Sequence, residues 1–408
     1  MRRLLPALAL VAVCATACGS HHETSRGKPL LVVVNAPFSK TPYLGRTIAN
    51  GVRLAVTQVD ASGLRVGGEQ YHLRVRTMDD ALSPARAVAN VRKAVADGAV
   101  AIVDDGTGVD ASWRVAATRG VPICIVFDGG SSLVDPATRP NVFRIAPTDH
   151  GIAFRLAEYL VPKGLRIAIL HDDSDYGQNG WDELRKAFSA DPRSVVSEQT
   201  VPADALDLAP QILRARRARA TALLVWGRPA TIAAAITAAR TARWQVPFFT
   251  PPTGADPFVR QQLADHPAWV DGLTFAAGRL TAEVGPRPFE SFAQQYEHSF
   301  GVDKVGVKTR AGAEVTQPPE TAMYAYDFTN LLAAALRSAA STDPGKVRQA
   351  LEQVTVEGAN GDDRSFNHVS HEGVVDDDIY FARFHDMTYA PVKDDPLSAT
   401  LPTLAQTR

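Results

Sequence analysis

The sequence predicts an α/β protein made of two doubly wound, parallel-sheet lobes. Three observations carry this prediction: short apolar runs alternate with helical patterns, several runs are apolar at consecutive positions, and 408 residues are too many for one ordinary domain. Continuous apolar runs are typical of parallel strands that are covered on both faces. Alternating strands and helices imply right-handed crossovers within each sheet.

The composition fits large packed cores and argues against a nucleic-acid-binding protein. Apolar residues make up 45% of the chain and charged residues 21%. Lys and Arg total 43 against 44 Asp and Glu, so the basic excess of nucleic-acid binders is missing.

The N-terminus has the pattern of a secretory leader with a lipid anchor. Two arginines precede the apolar run LLPALALVAVCATA, which is too short to span a membrane. The run ends in ATAC, and small residues before Cys18 resemble a bacterial lipobox, with Ala15 where leucine is commoner. We expect residues 1–18 to be a lipoprotein signal peptide with Cys18 lipidated, and an ordinary cleaved signal is the alternative. Residues 19–28 are expected to form a flexible tether.

The first two thirds of the chain show the strand–helix alternation. Ile48 to Val59 follow a helical period that stops at Gly63, and Ser83 with Pro84 begins the next helix. Further helical stripes lie at 153–160, 184–188, 212–215 and 232–239. Buried strands are predicted at 30–35, 71–77, 99–103, 121–127, 166–170, 222–226 and 246–250.

The alternation divides into two blocks of about five strands each. The first block ends near Pro147, which breaks the chain, and the second ends near residues 272–278. The rest is predicted to contain helices at 288–300, 321–340 and after Pro344, an irregular insertion at 308–319, a strand in the last polar section, and a C-terminal tail at 391–408 that is disordered from Lys393 onwards.

Four segments, taken in order, resemble the leucine/isoleucine/valine-binding protein family. LGRTIANGVRLAVTQVDASG resembles its first helix, and HLRVRTMDDALSPARAVANVRKAVADGAVAIV its second strand, acidic turn, second helix and third strand. RIAILHDDSDYGQNGWDELRKAF resembles the start of its second lobe, and TDPGKVRQALEQVTVEGANGDDRSFN its C-terminal region. The resemblance covers about residues 29–390.

That resemblance implies a substrate-binding protein of an ABC importer with the type I periplasmic-binding-protein fold. Two lobes joined by three hinge crossovers would close over an amino acid or a similar small polar solute. The implied partners are this small-molecule ligand and a membrane permease. No cofactor, metal or enzymatic activity is implied. The chain would be anchored on the outer face of the cell membrane. The first lobe would comprise 29–146 and 277–355, and the second 147–276 and 356–390.

The ligand is expected beyond the carboxyl ends of the strands, where two lobes share one cleft. The loop after the strand at 166–170 is one lip of it, and His171 would border the cleft. Tyr176 matches a family position where a tyrosine lines the ligand, and packing against its own helix is the alternative. Asp172, Asp173 and Asp175 lack the glutamate of a calcium loop and are expected to cap the following helix.

A second lip is predicted at residues 103–112, between a buried strand and a helix. Its amides could hold an anion such as a carboxylate, with Asp105, Gly106 and Thr107 as contacts. The resemblance implies small hydroxyl residues here. Asp104 and Asp105 depart from that pattern, and they either point inward and repel a carboxylate or face solvent and cap the helix.

A third lip follows the next strand with Asp128, Gly129 and Gly130. The resemblance implies backbone contacts to the head of an amino acid in this loop. Gly129 occupies a position where a hydroxyl residue is frequent, so one contact would be missing. Asp128 could instead neutralise a cation of the ligand, because a buried charge needs a partner.

Further contacts are expected from Tyr43, Leu44, Trp226, Gly227 and Thr253. The resemblance implies an acid for the ligand ammonium in the loop TPPTGADPF, but that position falls on Pro252 or Thr253. This loss argues against a plain branched-chain amino acid. The acid-rich lips favour a small polar, amide-bearing or cationic solute over leucine.

Individual residues and missing motifs argue against an enzyme. VDDGTG resembles the end of the phosphatase loop of the haloacid dehalogenase type, but Val103 replaces its nucleophile. The sequence contains no Gly-x-Ser-x-Gly elbow, HExxH or P-loop. A receptor of the same fold that signals to a membrane partner remains the alternative to transport.

Overall fold

The computed structural model describes residues 27–278, 287–375 and 379–400. The predicted leader, its lipidated Cys18 and residues 19–26 of the tether lie outside these ranges. The predicted tether extends too far by one residue, because Lys28 already begins the first strand.

The chain alternates strands and helices in three stretches. The first contains β1 Lys28–Ala36, α1 Pro42–Ser62, β2 Leu64–Val66, β3 Glu69–Asp79, α2 Pro84–Ala96, β4 Ala99–Asp104, α3 Val109–Ala117, β5 Ile123–Ile125 and β6 Val142–Arg144. The second contains α4 Asp149–Leu160, β7 Ile167–Asp172, α5 Asp175–Ala187, β8 Val195–Val201, α6 Ala209–Arg217, β9 Ala222–Trp226, α7 Pro229–Thr241, β10 Phe248–Thr250, α8 Pro257–Gln262 and β11 Thr274–Gly278. The third contains α9 Arg287–Phe300, β12 Lys304–Lys308, β13 Glu314–Thr316, α10 Glu320–Ala339, α11 Pro344–Leu351, β14 Thr355–Glu357, β15 Asp363–Ser365, β16 Ile379–His385 and β17 Thr388–Pro391.

Two large sheets form the centres of the two lobes. The first has the order β2-β3-β1-β4-β5-β6, and the second the order β17-β16-β11-β10-β9-β7-β8. Neighbouring strands are parallel except at one edge of each sheet, where β2, β16 and β17 pair antiparallel. Helices cover both faces, so strands such as β4 and β9 are buried at every position. The predicted α/β fold with two parallel-sheet lobes is confirmed.

The last third of the chain returns to both lobes. Helices α9 and α10 pack in the core of the first lobe through Phe292, Phe328 and neighbouring residues. The chain enters the second lobe after residue 146. Strand β11, which ends at Gly278, belongs to the second sheet, whereas α9, which begins at Arg287, packs in the first lobe, and Val374 and Ile379 belong to the cores of the first and second lobes. Residues 356–375 were expected in the second lobe, but Phe366 and Val374 are buried in the core of the first.

The predicted irregular insertion is partly a hairpin, formed by β12 and β13. Val305, Val307 and Val315 of this hairpin are buried in the core of the second lobe, although α9 and α10 on either side belong to the first. The valines of β12 alternate with exposed residues, which is the period of a strand with one buried face. The edge strand β8 is likewise absent from the predicted strands.

The described part of the C-terminal tail, residues 391–400, packs on the second lobe, contrary to the prediction of disorder from Lys393 onwards. Val392 is fully buried in the second lobe. Asp395 pairs with Arg155 at 3.0 Å, and the amide of Ser398 donates to Asp395. Residues 401–408 lie outside the described ranges. Within the described part of the chain, no helix combines the length and apolarity needed to cross a membrane.

Candidate functional site

A cavity of about 410 Å³ lies between the two lobes, beyond the carboxyl ends of the strands. Eight of the twelve residues predicted from the sequence line it: Tyr43, Leu44, Asp105, Gly106, Thr107, Asp128, Tyr176 and Thr253. The other four do not, and they lie behind the wall: Gly129, Gly130, Trp226 and Gly227.

The loop after β4 uses its own carboxylates to satisfy its amides. The Gly106 amide donates to Asp104 at 2.8 Å, and the Thr107 amide donates to Asp105 at 3.0 Å. The Thr107 hydroxyl also donates to Asp105, at 2.8 Å. The prediction that the amides of Gly106 and Thr107 and the Thr107 hydroxyl bind an anion is therefore wrong, because all three already donate to Asp104 or Asp105. Asp105 lines the cavity, whereas Asp104 is fully buried beneath it and accepts from Asn35 at 2.9 Å.

The loop after β5 lies directly against the loop after β4. An ideal β-carbon on Gly106, where φ is +114°, would lie 2.2 Å from the β-carbon of Asp128. Only glycine therefore allows the two loops to approach so closely. The Gly130 amide donates to Asp128 at 2.9 Å, and the Gly129 carbonyl accepts from the amide of Asp149 at 2.8 Å. Gly129 and Gly130 thus shape this loop from behind instead of lining the cavity.

Burial raises the pKa of four carboxyl groups in this region. The pKa of Asp104 is raised to about 7 by burial, against the hydrogen bonds from Asn35 and Gly106. Burial and the nearby Asp104 and Asp80 raise the pKa of Asp105. Burial also raises the pKa values of Asp128 and Asp149, and Asp128 adds to the effect on Asp149. Each shift reflects the cost of an ionised carboxylate away from water.

The second-lobe lip is held by Asp172 at the end of β7. Asp172 is fully buried and accepts from the amide of Ser174 at 3.3 Å, from the amide of Arg228 at 2.6 Å and from the hydroxyl of Thr231 at 3.2 Å. Ser174, not an aspartate, caps α5 by accepting from the amide of Gly177. The expected capping role is therefore wrong for Asp172, which instead joins the loops after β7 and β9.

Tyr176 lines the cavity from the first turn of α5, and its ring lies 6.0 Å from that of Trp226. Trp226 was expected to contact the ligand, but it is fully buried because it is the last residue of β9 and still points into the core. Gly227 follows, and its carbonyl accepts from the hydroxyl of Thr253 at 2.8 Å. Both residues thus support the wall that Tyr176 and Thr253 present.

His171 does not border the cavity as expected. It is buried, stacks on Trp181 with ring centroids 5.3 Å apart, and lies 3.0 Å from a carboxylate oxygen of Glu198. In the described residues, no group of His, Cys, Asp and Glu side chains has the arrangement of a metal site.

The lining also contains polar residues that the sequence interpretation did not identify as contacts, among them Asp149, Gln317, Glu320 and Tyr389. Asp149 follows the end of β6, so the rule that ligands bind at carboxyl ends could have identified it. Gln317 and Glu320 follow the hairpin, whose position the sequence did not reveal. Burial raises the pKa of Glu320 to about 7, although the amide of Gly278 donates to it.

Comparison with known proteins identifies the family to which this two-lobed chain belongs. A family model described as periplasmic binding protein matches residues 31–387. The chain belongs to the periplasmic binding protein family. Its structural neighbours identify the fold as the type I periplasmic-binding-protein fold.

Curated relatives of this periplasmic binding protein are distant. The Leu/Ile/Val-binding protein homolog 7 of Brucella suis is 25% identical over 238 residues, which are 55% of this chain and 57% of the relative. The Leu/Ile/Val-binding protein homolog 2 of Brucella abortus is 29% identical over 168 residues, or 39% and 43% of the two chains. The matched part thus spans only about half the length of these relatives.

Solved structures match nearly the whole periplasmic binding protein. A type 1 periplasmic binding protein from Bordetella pertussis has a TM-score of 0.77 at 21% identity, covering 88% of this chain and 97% of that one. The branched-chain amino acid transporter substrate-binding protein LivJ from Streptococcus pneumoniae, in complex with isoleucine, has a TM-score of 0.73 at 18% identity, covering 89% and 98%. A solute-binding protein of an ABC transporter from Rhodopseudomonas palustris, in complex with 3,4-dihydroxybenzoic acid, has a TM-score of 0.69 at 19% identity, covering 88% and 93%.

Proposed function

We propose that this chain is an extracytoplasmic solute-binding lipoprotein of an ABC importer, without enzymatic activity. It would capture an amino acid or a similar small polar solute in the cavity between its lobes. The observation that carries the proposal is the cavity of about 410 Å³ beyond the carboxyl ends of both sheets, with walls from both lobes. This volume is within the range of small-molecule sites. The neighbours with isoleucine and with a dihydroxybenzoic acid show that this fold accepts solutes of different chemistry.

The proposed mechanism is capture followed by closure. The first lobe would bind the solute through Tyr43, Leu44, Asp105, Gly106, Thr107 and Asp128, and the second would close on it with Tyr176 and Thr253. A solute that contacts both lobes binds the closed form better than the open form, so it shifts the population towards closure. The closed form would then dock on a membrane permease.

The test combines a thermal-shift screen with an uptake assay. A solute at 100 times its dissociation constant should add about 2.7 kcal/mol of stability, which is visible as a raised unfolding midpoint. Cells that lack the chain should then lose high-affinity uptake of the solute that binds. Undiminished uptake together with a lost transcriptional response to the solute would support the receptor alternative and contradict the transport role.

The lipid anchor has a separate test. Cys18→Ser should move the protein from the membrane fraction to the soluble fraction, because the acylated cysteine would be lost. Fractionation and mass spectrometry of the N-terminal peptide measure this directly. An unmodified Cys18 in the wild-type chain would contradict the proposal of an anchor without affecting that of solute binding.

A further inference from the structure

Three carboxyl groups line the cavity close together: Asp105 and Asp128 on adjoining loops of the first lobe, and Asp149 at the start of α4 in the second lobe. The close approach of Gly106 to Asp128 brings the first two loops together, and the backbone bond from Asp149 to Gly129 joins the third. Among the residues that the structure describes, no ion pair includes any of the three. We call this group the acid triad.

Asp149 is the member with an unused oxygen. Its side chain lines the cavity but is only 1% exposed, and in the described ranges its Oδ2 atom has no hydrogen-bond partner. A buried carboxylate oxygen without a hydrogen-bond donor destabilises the folded protein, because its hydrogen bonds to water have not been replaced. A donor from a bound solute would remove this cost.

Two arginines lie near the acid triad, Arg144 below the first-lobe loops and Arg228 on the second-lobe lip. Arg144 is 1% exposed, and its guanidinium donates to both carboxylate oxygens of Glu372 at 2.6 and 2.8 Å and to the Gly130 carbonyl at 2.9 Å. Arg144 also donates to the Asp128 carbonyl at 3.2 Å, and its charge acts against the burial that raises the pKa of Asp128 and Asp149. The carboxylate that pairs directly with Arg144 is nevertheless that of Glu372. Within the described lining, Arg228 of the second lobe is the one basic side chain.

The backbone amides of the lips are also unavailable to an anion. The amides of Gly106, Thr107 and Gly130 donate to the protein's own aspartates. The amide of Arg228 on the opposite lip donates to Asp172. A carboxylate placed in the first lobe would face the acid triad and would have to displace these bonds.

We propose that the cavity binds its solute through a positively charged nitrogen group, a protonated amine or a guanidinium, held between Asp105, Asp128 and Asp149. Such a group supplies several N–H donors and a compensating charge to the triad. A carboxylate on the solute is not required. This inference rests on the proposed function and specifies the chemical class of its ligand.

The test uses the full-length chain, purified in mild detergent, and isothermal titration calorimetry. The probes are putrescine and agmatine, which carry cations without a carboxylate, isoleucine as a zwitterion, and 3,4-dihydroxybenzoate as an anion. We expect putrescine or agmatine to bind at least tenfold more tightly than isoleucine or the benzoate. Asp149→Asn and Asp128→Asn should each weaken the binding of that cation at least tenfold.

A matched control and a stability measurement separate binding from folding. Asp182→Asn changes an exposed carboxylate of α5 that pairs with Arg185, and it should leave the affinity unchanged. Without any ligand, Asp149→Asn should keep or raise the unfolding temperature, because repulsion within the triad is relieved. A variant that folds at least as well but no longer binds the cation therefore identifies a ligand contact.

Two outcomes would overturn the inference. One is tight binding of isoleucine or dihydroxybenzoate with neither cation bound, which would leave the proposed solute-binding function intact. The other is cation binding that both asparagine variants retain. Failure of all four probes, and of a wider panel of solutes, would instead count against solute binding as such.

Discussion

At the scale of single residues, Asp104 shows how the cleft is built at a cost to the empty protein. It is fully buried below the lip after β4 and accepts hydrogen bonds from Asn35 and Gly106. Burial nevertheless raises its pKa to about 7, so these bonds do not fully replace water. The stability of the protein must therefore depend on pH through this group.

We expect the free energy of unfolding of the empty protein to fall as the pH rises from 5 to 7. Asp104 has a higher pKa when folded than when unfolded, so in this window the folded state binds more protons and loses stability with rising pH. The contribution is at most about 1.4 kcal/mol per pH unit. Urea denaturation at pH 5, 6 and 7 measures it, and Asp104→Asn should show a shallower dependence.

The control for this measurement is Asp97→Asn. Pairing with Arg76 and Lys93 lowers the pKa of Asp97, so its titration lies below the window and the slope should not change. His371, whose pKa is lowered by burial, acts in the opposite sense, but it is present in all variants and cancels in the comparison. Parallel slopes for the wild type and Asp104→Asn would contradict the prediction.

The sequence could place Asp105, Asp128 and Tyr176 in the cleft because each follows the end of a strand. It could not place Trp226. A strand that is buried on both faces shows no alternation of apolar and polar residues, so its sequence does not reveal which face its last side chain occupies. Nor could it show that the amides after β4 are occupied, because this depends on where Asp104 and Asp105 point.

At the scale of elements, the packing of α5 on β9 positions the second-lobe lip. An ideal β-carbon on Gly180 would lie 2.1 Å from the ring of Trp226, so the helix approaches the strand more closely than any other residue permits. This contact sets the position of Tyr176, one turn earlier on the same helix. The lip therefore depends on a glycine that faces away from the cavity.

Gly180→Ala should destabilise the protein by about 1–2 kcal/mol. The alanine improves helix propensity by about 1 kcal/mol, but the overpacking against fully buried Trp226 costs more. Chemical denaturation measures the change. The same substitution at Gly345 in α11 is the control, since its β-carbon would meet only Oδ1 of the capping residue Asp343 at 3.3 Å and should cost much less than the contact with Trp226. A stabilised Gly180→Ala variant would show that the helix shifts freely.

Elements with continuous apolar runs were predictable, whereas short half-exposed ones were not. The strands β1, β4 and β9 coincide with the predicted runs because buried parallel strands have few polar residues. The strands of the hairpin β12–β13 are short and have charged residues at exposed positions, and the edge strand β8 is half-exposed and interrupted by polar residues. Their pairing depends on contacts distant in sequence, which a local pattern does not contain.

At the scale of the whole molecule, Arg144 and Glu372 join two distant segments of the chain just before each of them leaves the first lobe. Arg144 ends β6 just before the first crossover, and Glu372 precedes the last one. The backbones also bond here, from the amide of Arg144 to the His371 carbonyl at 2.8 Å and from the amide of Gly373 to the Arg144 carbonyl at 2.7 Å. The placement of residues 356–375 in the first lobe follows from this pairing, which the sequence could not show.

Glu372→Gln should destabilise the protein by about 1–3 kcal/mol. It leaves the buried Arg144 guanidinium without its counter-charge, although the 28% exposure of Glu372 reduces the effect below that of a fully buried pair. Glu158→Gln is the control, because it removes an exposed partner of Arg155 and should change stability by less than about 0.5 kcal/mol. Equal effects of the two substitutions in chemical denaturation would contradict a special role for the crossover pair.

The excursion of the hairpin into the second lobe has a mechanical consequence. It is tied to the first lobe by residues 301–303 and 317–319, which link it to α9 and α10. Three residues extend by at most about 10 Å, so each link between the hairpin and the first lobe is short. The two links therefore limit how far the lobes can move apart. We therefore expect the empty molecule to open through a limited angle only.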